Sequence, residues 1–263
     1  MAIKPRVFVT VRNTKRPQHA KSPYIDGCFE AMGVMGSVYI NSQIPSSSGL
    51  GSSAAVTVAT LSAINDEFSL HKSREEVANM AFEIEKKVQK GRASPTDTTV
   101  SMYGGIVLIT GGSRRRLPPQ NMHIVVGDSL ISHSTAKMVE MVAEEKKKHP
   151  GIIDPILDAI EGVSLSAIHY LDNPKELGRY MNMNHALLEA LGAGHPQLSK
   201  IVLASRAAGA FGAKITGAGG GGCMIALCPR QLKQRVANSI EACEARAIIT
   251  GIDTEGARKE KNV

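Results

Sequence analysis

The segment from residue 45 to residue 55 has the residue types and spacing of a phosphate-binding loop. It leads into a small, apolar helical stretch and consists of Pro45, Ser46, Ser47, Ser48, Gly49, Leu50, Gly51, Ser52, Ser53, Ala54 and Ala55. Glycines let the backbone approach a ligand, and the free N–H groups and positive dipole end of a helix start favour phosphate. The hydroxyls of Ser52 and Ser53 add oxygen ligands for phosphate or magnesium. The segment predicts phosphate binding, and an ordinary serine-rich helix start is the alternative.

Two common nucleotide-binding motifs fit this segment poorly. It contains no Gly-Lys-Ser/Thr sequence of the Walker A type. The spacing of Gly49, Gly51 and Ala54 matches the loose dinucleotide-binding fingerprint. However, Asp66 and Glu67 come too early for the expected acid, and a helix-like stretch follows where a second strand is required. A Rossmann-type domain is therefore disfavoured.

A second glycine-rich segment precedes a short apolar strand. It consists of Gly217, Ala218, Gly219, Gly220, Gly221 and Gly222. A tight hairpin needs only one or two glycines. A longer run carries a high conformational-entropy cost, which indicates that the backbone approaches something closely. We expect a nucleotide there, with a flexible surface loop as the alternative.

Two acidic residues have the chemistry for metal binding and proton transfer. Glu85 follows a capping box that begins at Ser73, and helical spacing places it on the flank of an apolar stripe, neither fully solvated nor central. Asp97 follows Ser94 and Pro95, which are typical N-cap and first-turn residues. Such carboxylates can hold a metal ion and take a proton from a hydroxyl. The alternatives are a Lys partner within its own helix for Glu85 and a dipole interaction for Asp97.

The elements that must position these residues mix without regular alternation, which favours an α+β fold. Strands are predicted at 5–11, 36–43, 106–110, 123–126 and 246–250, with two short strands around the second glycine-rich segment. Helices are predicted from Ser52, Ser73 and Ser94, and near 135–148, 152–171, 174–191, 196–210 and 230–243. The change of composition from Gly111 to Pro119 is interpreted as a domain boundary.

Composition excludes several classes of protein. With 263 residues, of which 43% are hydrophobic and 21% charged, the chain is neither disordered, collagen-like nor a membrane bundle. The absence of Trp disfavours a stacking platform for single-stranded nucleic acid. The net charge of +7 suits a small anionic substrate, and clusters such as Arg114–Arg116 are interpreted as solvated faces, with a nucleic-acid patch as the alternative. Scattered cysteines and a charged N-terminus predict a cytoplasmic protein.

Together, these segments resemble the motifs of the GHMP small-molecule kinases, the superfamily of galactokinase, homoserine kinase, mevalonate kinase and phosphomevalonate kinase. Pro45–Ala55 is similar to the second family motif, and Lys214–Cys223 to the third. The residues around Asp97 and from Arg206 to Lys214 are most similar to the archaeal mevalonate kinase branch. The likeness extends from about residue 36 to residue 227.

The resemblance implies a role for each candidate residue. Pro45–Ala55 would wrap the phosphates of ATP, and Gly217–Gly222 would close over the phosphates and the substrate. Ser53 and Glu85 would hold Mg²⁺, and Asp97 would accept or orient the proton of the substrate hydroxyl. ATP and Mg²⁺ are thus the implied cofactors, and positioning with charge neutralisation would perform most of the catalysis.

The resemblance also implies two α+β domains with the site between them. An S5-like N-terminal domain is expected at residues 1–113 and a ferredoxin-like C-terminal domain at residues 114–263. The first family motif, with its phosphate-side lysine and substrate-contacting histidine, has no counterpart, so we expect an N-terminally truncated version of the fold.

The implied function is ATP- and Mg²⁺-dependent phosphorylation of mevalonate to 5-phosphomevalonate in isoprenoid biosynthesis. One alternative is another kinase or decarboxylase of the superfamily that acts on a related hydroxy acid. The other is a non-catalytic nucleotide-binding fragment. The expected partner is the small-molecule substrate, without nucleic acid or membrane, and the family is compatible with a homodimer.

Overall fold

The computed structural model describes residues 1–14, 18, 21–45, 49–91, 93–111, 113–118, 120–132 and 134–260. These residues form two compact units. The first unit comprises Met1–Ser46, Gly51–Pro119 and Ile252–Val263, and the second comprises Ser47–Leu50 and Gln120–Gly251. The described residues from Ile252 to residue 260 therefore belong to the first unit. The division into domains after residue 113 stays a prediction.

The first unit contains two antiparallel strand pairs. Strand β1 (Val7–Asn13) pairs with β2 (Gly36–Ser42), and β3 (Ile106–Thr110) pairs with β4 (Ser113–Leu117). Strand β4 lies within the segment that the sequence analysis interprets as a boundary. Its arginine-rich residues are mostly exposed, and this polar composition is compatible with one short strand of an exposed hairpin.

The helices of this unit cover a shared apolar core. They are α1 (Pro23–Met32), α2 (Ser52–Glu67), α3 (Arg74–Val88) and α4 (Pro95–Tyr103). The core residues lie at helical spacing and on the inner faces of β1 and β2; they include Val11, Phe29, Val38, Val58, Leu61, Ile64, Val77, Ala81 and Met102. The sequence analysis missed α1, although Pro23 and the left-handed Gly33 are typical helix-boundary residues.

Serine side chains cap the N-termini of the two helices that carry Glu85 and Asp97. The Ser73 hydroxyl accepts the N–H of Glu76, and the Glu76 carboxylate accepts the N–H of Ser73, which confirms the predicted capping box. The Ser94 hydroxyl accepts the N–H of Thr96 at the start of α4. Both helix starts are therefore fixed by nearby residues.

The second unit is built on a four-stranded antiparallel sheet. Its strand order is β6-β7-β5-β8, with β5 at His123–Asp128, β6 at Gly212–Ile215, β7 at Cys223–Leu227 and β8 at Arg246–Gly251. The buried face of this sheet includes Val125 and Met224, against which helices pack. The sheet thus places the loop between β6 and β7 at one end of two buried strands.

Five helices of the second unit accompany this sheet within the described part of the chain. They are α5 (Thr135–Lys148), α6 (Pro150–Ala167), α7 (Pro174–Ala190), α8 (Pro196–Ala207) and α9 (Lys233–Glu241). The mixture of helices with antiparallel sheets confirms the α+β class. In the described ranges we find no helix whose length and apolar character would let it cross a membrane.

Candidate active site

The start of helix α2 is an uncapped helix N-terminus. Gly51 occupies the N-cap position with a φ of 68°, and no described side chain caps the helix. The N–H groups of Ser52 and Ser53 have no acceptor among the described residues. Free N–H groups and the helix dipole attract anions, so this end of α2 suits phosphate. The predicted residues Ser46, Ser47 and Ser48 lie outside the described residues.

Ser53 connects α2 to the acidic residue of α3. Its hydroxyl donates a hydrogen bond of 2.7 Å to Oε1 of Glu85. Glu85 is only 3% exposed. Glu85 is not fully solvated, as expected, but the expectation that it lies only on the flank of the apolar stripe is wrong, because packing of α2 against α3 buries it and Ser53 satisfies one of its oxygens.

A Lys partner for Glu85 within its own helix, the alternative given by the sequence, is also absent among the described residues. The Glu85 carboxylate accepts its hydrogen bond from Ser53 of α2, whereas Lys87 of the same helix donates to Glu30 of α1 at 3.0 Å. Nothing in the local spacing indicates the Ser53–Glu85 pair, since the two residues are 32 positions apart.

Asp97 lies against the start of α2. A Cβ atom placed on Gly51 would be 3.2 Å from Cγ of Asp97, within the same unit. Asp97 occupies the first turn of α4, as predicted, and it is exposed to solvent. The structure therefore brings Gly51, Ser53, Glu85 and Asp97 together in the first unit.

The two carboxyl groups both bind protons more tightly than usual. Desolvation raises the pKa of Glu85 above its ordinary value of 4.5, the Ser53 hydrogen bond lowers it, and the negative charge of Asp97 raises it. Desolvation likewise raises the pKa of Asp97 above 3.8, while the amino terminus at Met1 lowers it. Asp97 is nevertheless exposed to solvent, and water around its carboxylate weakens this desolvation, so its pKa is raised less than that of a fully buried carboxyl group.

The donor set of Ser53 and Glu85 fits Mg²⁺ shared with a phosphate. Both residues offer oxygen, which Mg²⁺ prefers, and Mg²⁺ is commonly held by one or two carboxylates together with substrate phosphates. In the described ranges no cluster of three or more His, Cys, Asp or Glu side chains is arranged to hold a metal. The residues thus fit an ion that the phosphates help to bind, and do not form a closed metal cage.

The glycine loop, residues 217–222, is bound closely by its own unit. The N–H of Gly220 donates to the carbonyl of Ala193 at 2.9 Å, and a Cβ on Gly219 would be 2.0 Å from that oxygen. At the other end, Ser129 donates to the Gly222 carbonyl at 2.9 Å, and Gly222 donates to Ile131 at 2.8 Å. The alternative of a loose surface loop therefore finds no support, and part of the predicted close approach is to Ala193 itself.

The beginning of the glycine loop meets a residue of the first phosphate segment. A Cβ on Gly217 would be 3.5 Å from the Cα of Gly49, and both residues belong to the second unit. Gly217 is exposed. Ala193 is the neighbour of this loop that sequence reasoning missed, although the glycines at 192 and 194 mark it as a sharp turn.

Two family models match the chain over these segments. The model described as "GHMP kinases N terminal domain" matches residues 23–105, and "GHMP kinases C terminal" matches residues 166–245. The chain therefore belongs to the GHMP kinases, a family of ATP-dependent small-molecule kinases. The family and the enzyme class inferred from the motifs are confirmed.

The relatives within this family include mevalonate kinases. The mevalonate kinase of Pyrococcus abyssi is 43% identical over 232 residues, which cover 86% of this chain and 69% of that protein. The crystal structure of the Methanococcus jannaschii mevalonate kinase is 29% identical with a TM-score of 0.71 and covers 88% of this chain and 74% of that chain. The structure of L. major mevalonate kinase in complex with R-mevalonate shares the fold, with a TM-score of 0.83, 24% identity and coverage of 96% and 87%.

Proposed function

We propose that this chain transfers a phosphoryl group from ATP to the primary hydroxyl of mevalonate and forms 5-phosphomevalonate. The mevalonate kinases among its relatives support this substrate, since the Pyrococcus abyssi protein is 43% identical. The observation that carries the proposal is the position of Asp97 against Gly51, where an uncapped helix begins beside the Ser53–Glu85 pair. An anion site, oxygen ligands and a proton acceptor are the groups that phosphoryl transfer requires.

The start of α2 would bind the phosphates of ATP through backbone N–H groups. Gly51 carries no side chain that would occupy this position, and the dipole of α2 favours the negative charge. We assign Gly49, Leu50 and Gly51, with Ser52 and Ser53, to this role. Pro45, Ala54 and Ala55 would flank the loop, and Ser46, Ser47 and Ser48 would lie within it. Gly217, Ala218, Gly219 and Gly220 would supply the second phosphate-binding segment.

Glu85 and Ser53 would hold Mg²⁺, which supplies charge neutralisation on the phosphates when it is bound. The hydrogen bond from Ser53 orients the Glu85 carboxylate before any ion arrives. Because Glu85 is almost completely buried, its side chain is restricted to a narrow set of positions. Such pre-organisation favours a defined ligand geometry.

Asp97 would accept or orient the proton of the attacking hydroxyl. Its carboxylate is accessible to a substrate, and its raised pKa brings it closer to neutral pH, where a carboxylate is a better proton acceptor. Phosphoryl transfer needs little covalent help from the protein, so alignment of the hydroxyl by Asp97 is its main contribution.

A steady-state assay with ATP, Mg²⁺ and mevalonate tests this function. Turnover with mevalonate, together with much weaker turnover of phosphomevalonate, homoserine and galactose, is the expected result. Faster turnover of one of the other three alcohols would show that this alcohol, and not mevalonate, is the substrate. ATP binding without turnover of any of them would show a nucleotide-binding protein that is not a kinase.

The remaining expectations concern location and assembly. We propose a cytoplasmic protein, and the buried thiols of Cys28, Cys228 and Cys243, which form no disulfide in the described structure, support a reducing compartment. Fractionation of cells against a periplasmic or organellar marker tests the location. Light scattering of the purified chain gives its mass in solution and tests whether it forms a homodimer.

A further inference from the structure

Met138 of helix α5 contacts the glycine loop. A Cβ on Gly220 would lie 2.6 Å from Sδ and 3.2 Å from Cγ of Met138. Gly220 itself has a φ of 72° and donates its N–H to Ala193. The Met138 side chain thus covers the face of Gly220 on which any other residue would carry its side chain.

The rest of α5 packs shallowly against its unit. None of its residues, all of which the structure describes, is fully buried. Its half-buried residues are Met138, Met141, Val142 and Glu145, which follow helical spacing and form one face. Met141 on this face touches Gly192, since a Cβ there would lie 3.4 Å from its Cε.

Both methionines therefore contact the backbone that fixes the glycine loop. Gly192 immediately precedes Ala193, whose carbonyl accepts the N–H of Gly220. A thioether side chain is flexible and polarisable, so it can follow a backbone that shifts slightly when a ligand arrives. A glycine backbone has no side chain of its own with which to exclude alternative conformations.

We propose that Met138 is a positioning residue for the glycine loop and acts by contact with Gly220. This inference rests on the proposed function, in which the loop binds the phosphates of ATP. Removing the side chain leaves Gly220 free to sample other conformations, and the loop must then be ordered when ATP binds. Because this cost falls on the ground state and the transition state alike, the Michaelis constant changes and the turnover number does not.

The experiment compares Met138→Ala with Val139→Ala, a neighbour on the same helix that is 45% exposed. M138A should raise the KM for ATP about three- to tenfold, the range expected for ordering flexible groups on binding, with kcat changed by less than about twofold. V139A should leave both constants unchanged. M138L, which restores most of the volume, should return the KM to within about twofold of the wild type.

Hydrogen exchange of the same variants separates this inference from the proposed function. In M138A the amides of residues 217–222 should exchange faster, while those of strand β7 keep their protection. Unchanged exchange in the loop, or equal loss of protection in β7, would overturn a local role for Met138. If the wild type has no kinase activity, the proposed function fails, and the exchange measurement still decides whether Met138 orders the loop.

Discussion

Asp97 and Gly51 are so close that a methyl group on Gly51 would lie 3.2 Å from the carboxyl carbon of Asp97. The proposed proton acceptor is therefore packed against the backbone that begins helix α2. The left-handed conformation of Gly51, with a φ of 68°, makes this approach feasible, because it is a conformation that glycine adopts without strain. This contact places the acceptor of the proton beside the proposed phosphate site.

Replacing Gly51 by Ala should reduce turnover, because the added methyl group crowds Asp97 and forces a strained backbone at the phosphate site. We expect a loss of kcat/KM of about tenfold or more. The control is Gly33→Ala, which has a similar φ of 66° and no atom within 4 Å of the added Cβ. Equal kinetic constants for the two variants would contradict a role for the Gly51–Asp97 contact.

Replacing Asp97 by Asn should abolish most of the turnover and spare nucleotide binding. Loss of the carboxylate that accepts or orients the proton of the hydroxyl lowers the rate by about 10²- to 10⁴-fold, whereas the ATP site at the start of α2 is unchanged. Calorimetric titration with ADP measures the binding, and a coupled assay measures the rate. Glu176→Gln is the control, since Glu176 also lies in the first turn of a helix with Pro at its start. An active D97N enzyme would exclude Asp97 as the proton acceptor.

The same substitution should raise the melting temperature. Desolvation raises the pKa of Asp97, so the folded protein bears a carboxylate that is less favourable than it is in the unfolded chain. Asparagine removes this penalty at neutral pH. A melting temperature below that of the wild type would indicate that Asp97 stabilises the fold through its charge.

The stability of the protein should decrease as the pH rises through the pKa of Glu85. Its pKa in the folded state lies above the ordinary value of 4.5, so the folded state holds this proton more tightly than the unfolded state does. The stabilisation is complete below 4.5 and is lost as the pH rises through the folded pKa. Glu85→Gln lacks the titrating group, so its urea unfolding should not show this component. Identical pH profiles would contradict the burial of an ionisable Glu85.

Lys214 should give a pH dependence of the opposite sign in the alkaline range. Burial lowers its pKa from 10.5 to about 8, so the folded state loses this proton before the unfolded state does. The free energy of unfolding should therefore rise as the pH increases from about 8 to 10.5, and Lys214→Met should lack this rise. Lys200→Met, at an exposed position of α8, serves as the control and should retain it.

Much of the fold could be predicted because its signals are local. Ser73 and Ser94 begin α3 and α4 through bonds to residues two or three positions away. Helix α1 also has local signals, since Pro23 and Gly33 mark its two ends, although the sequence analysis missed it. Strand β4 could not be predicted, because its arginines are exposed and the sequence lacks the alternation of apolar and polar residues that would distinguish a strand from a linker.

The sequence alone determined which chemistry this protein has available. Two glycine-rich segments, a serine pair and two acids already specify the family, because backbone N–H groups and oxygen ligands suit phosphate whatever surrounds them. Only the tertiary structure decided which of these residues contact one another. It brought Ser53 into hydrogen-bond contact with Glu85, 32 residues away, buried Glu85 almost completely, and placed Met138 against Gly220. These relationships depend on how helices and loops pack, and packing brings together residues whose separation in sequence carries no signal.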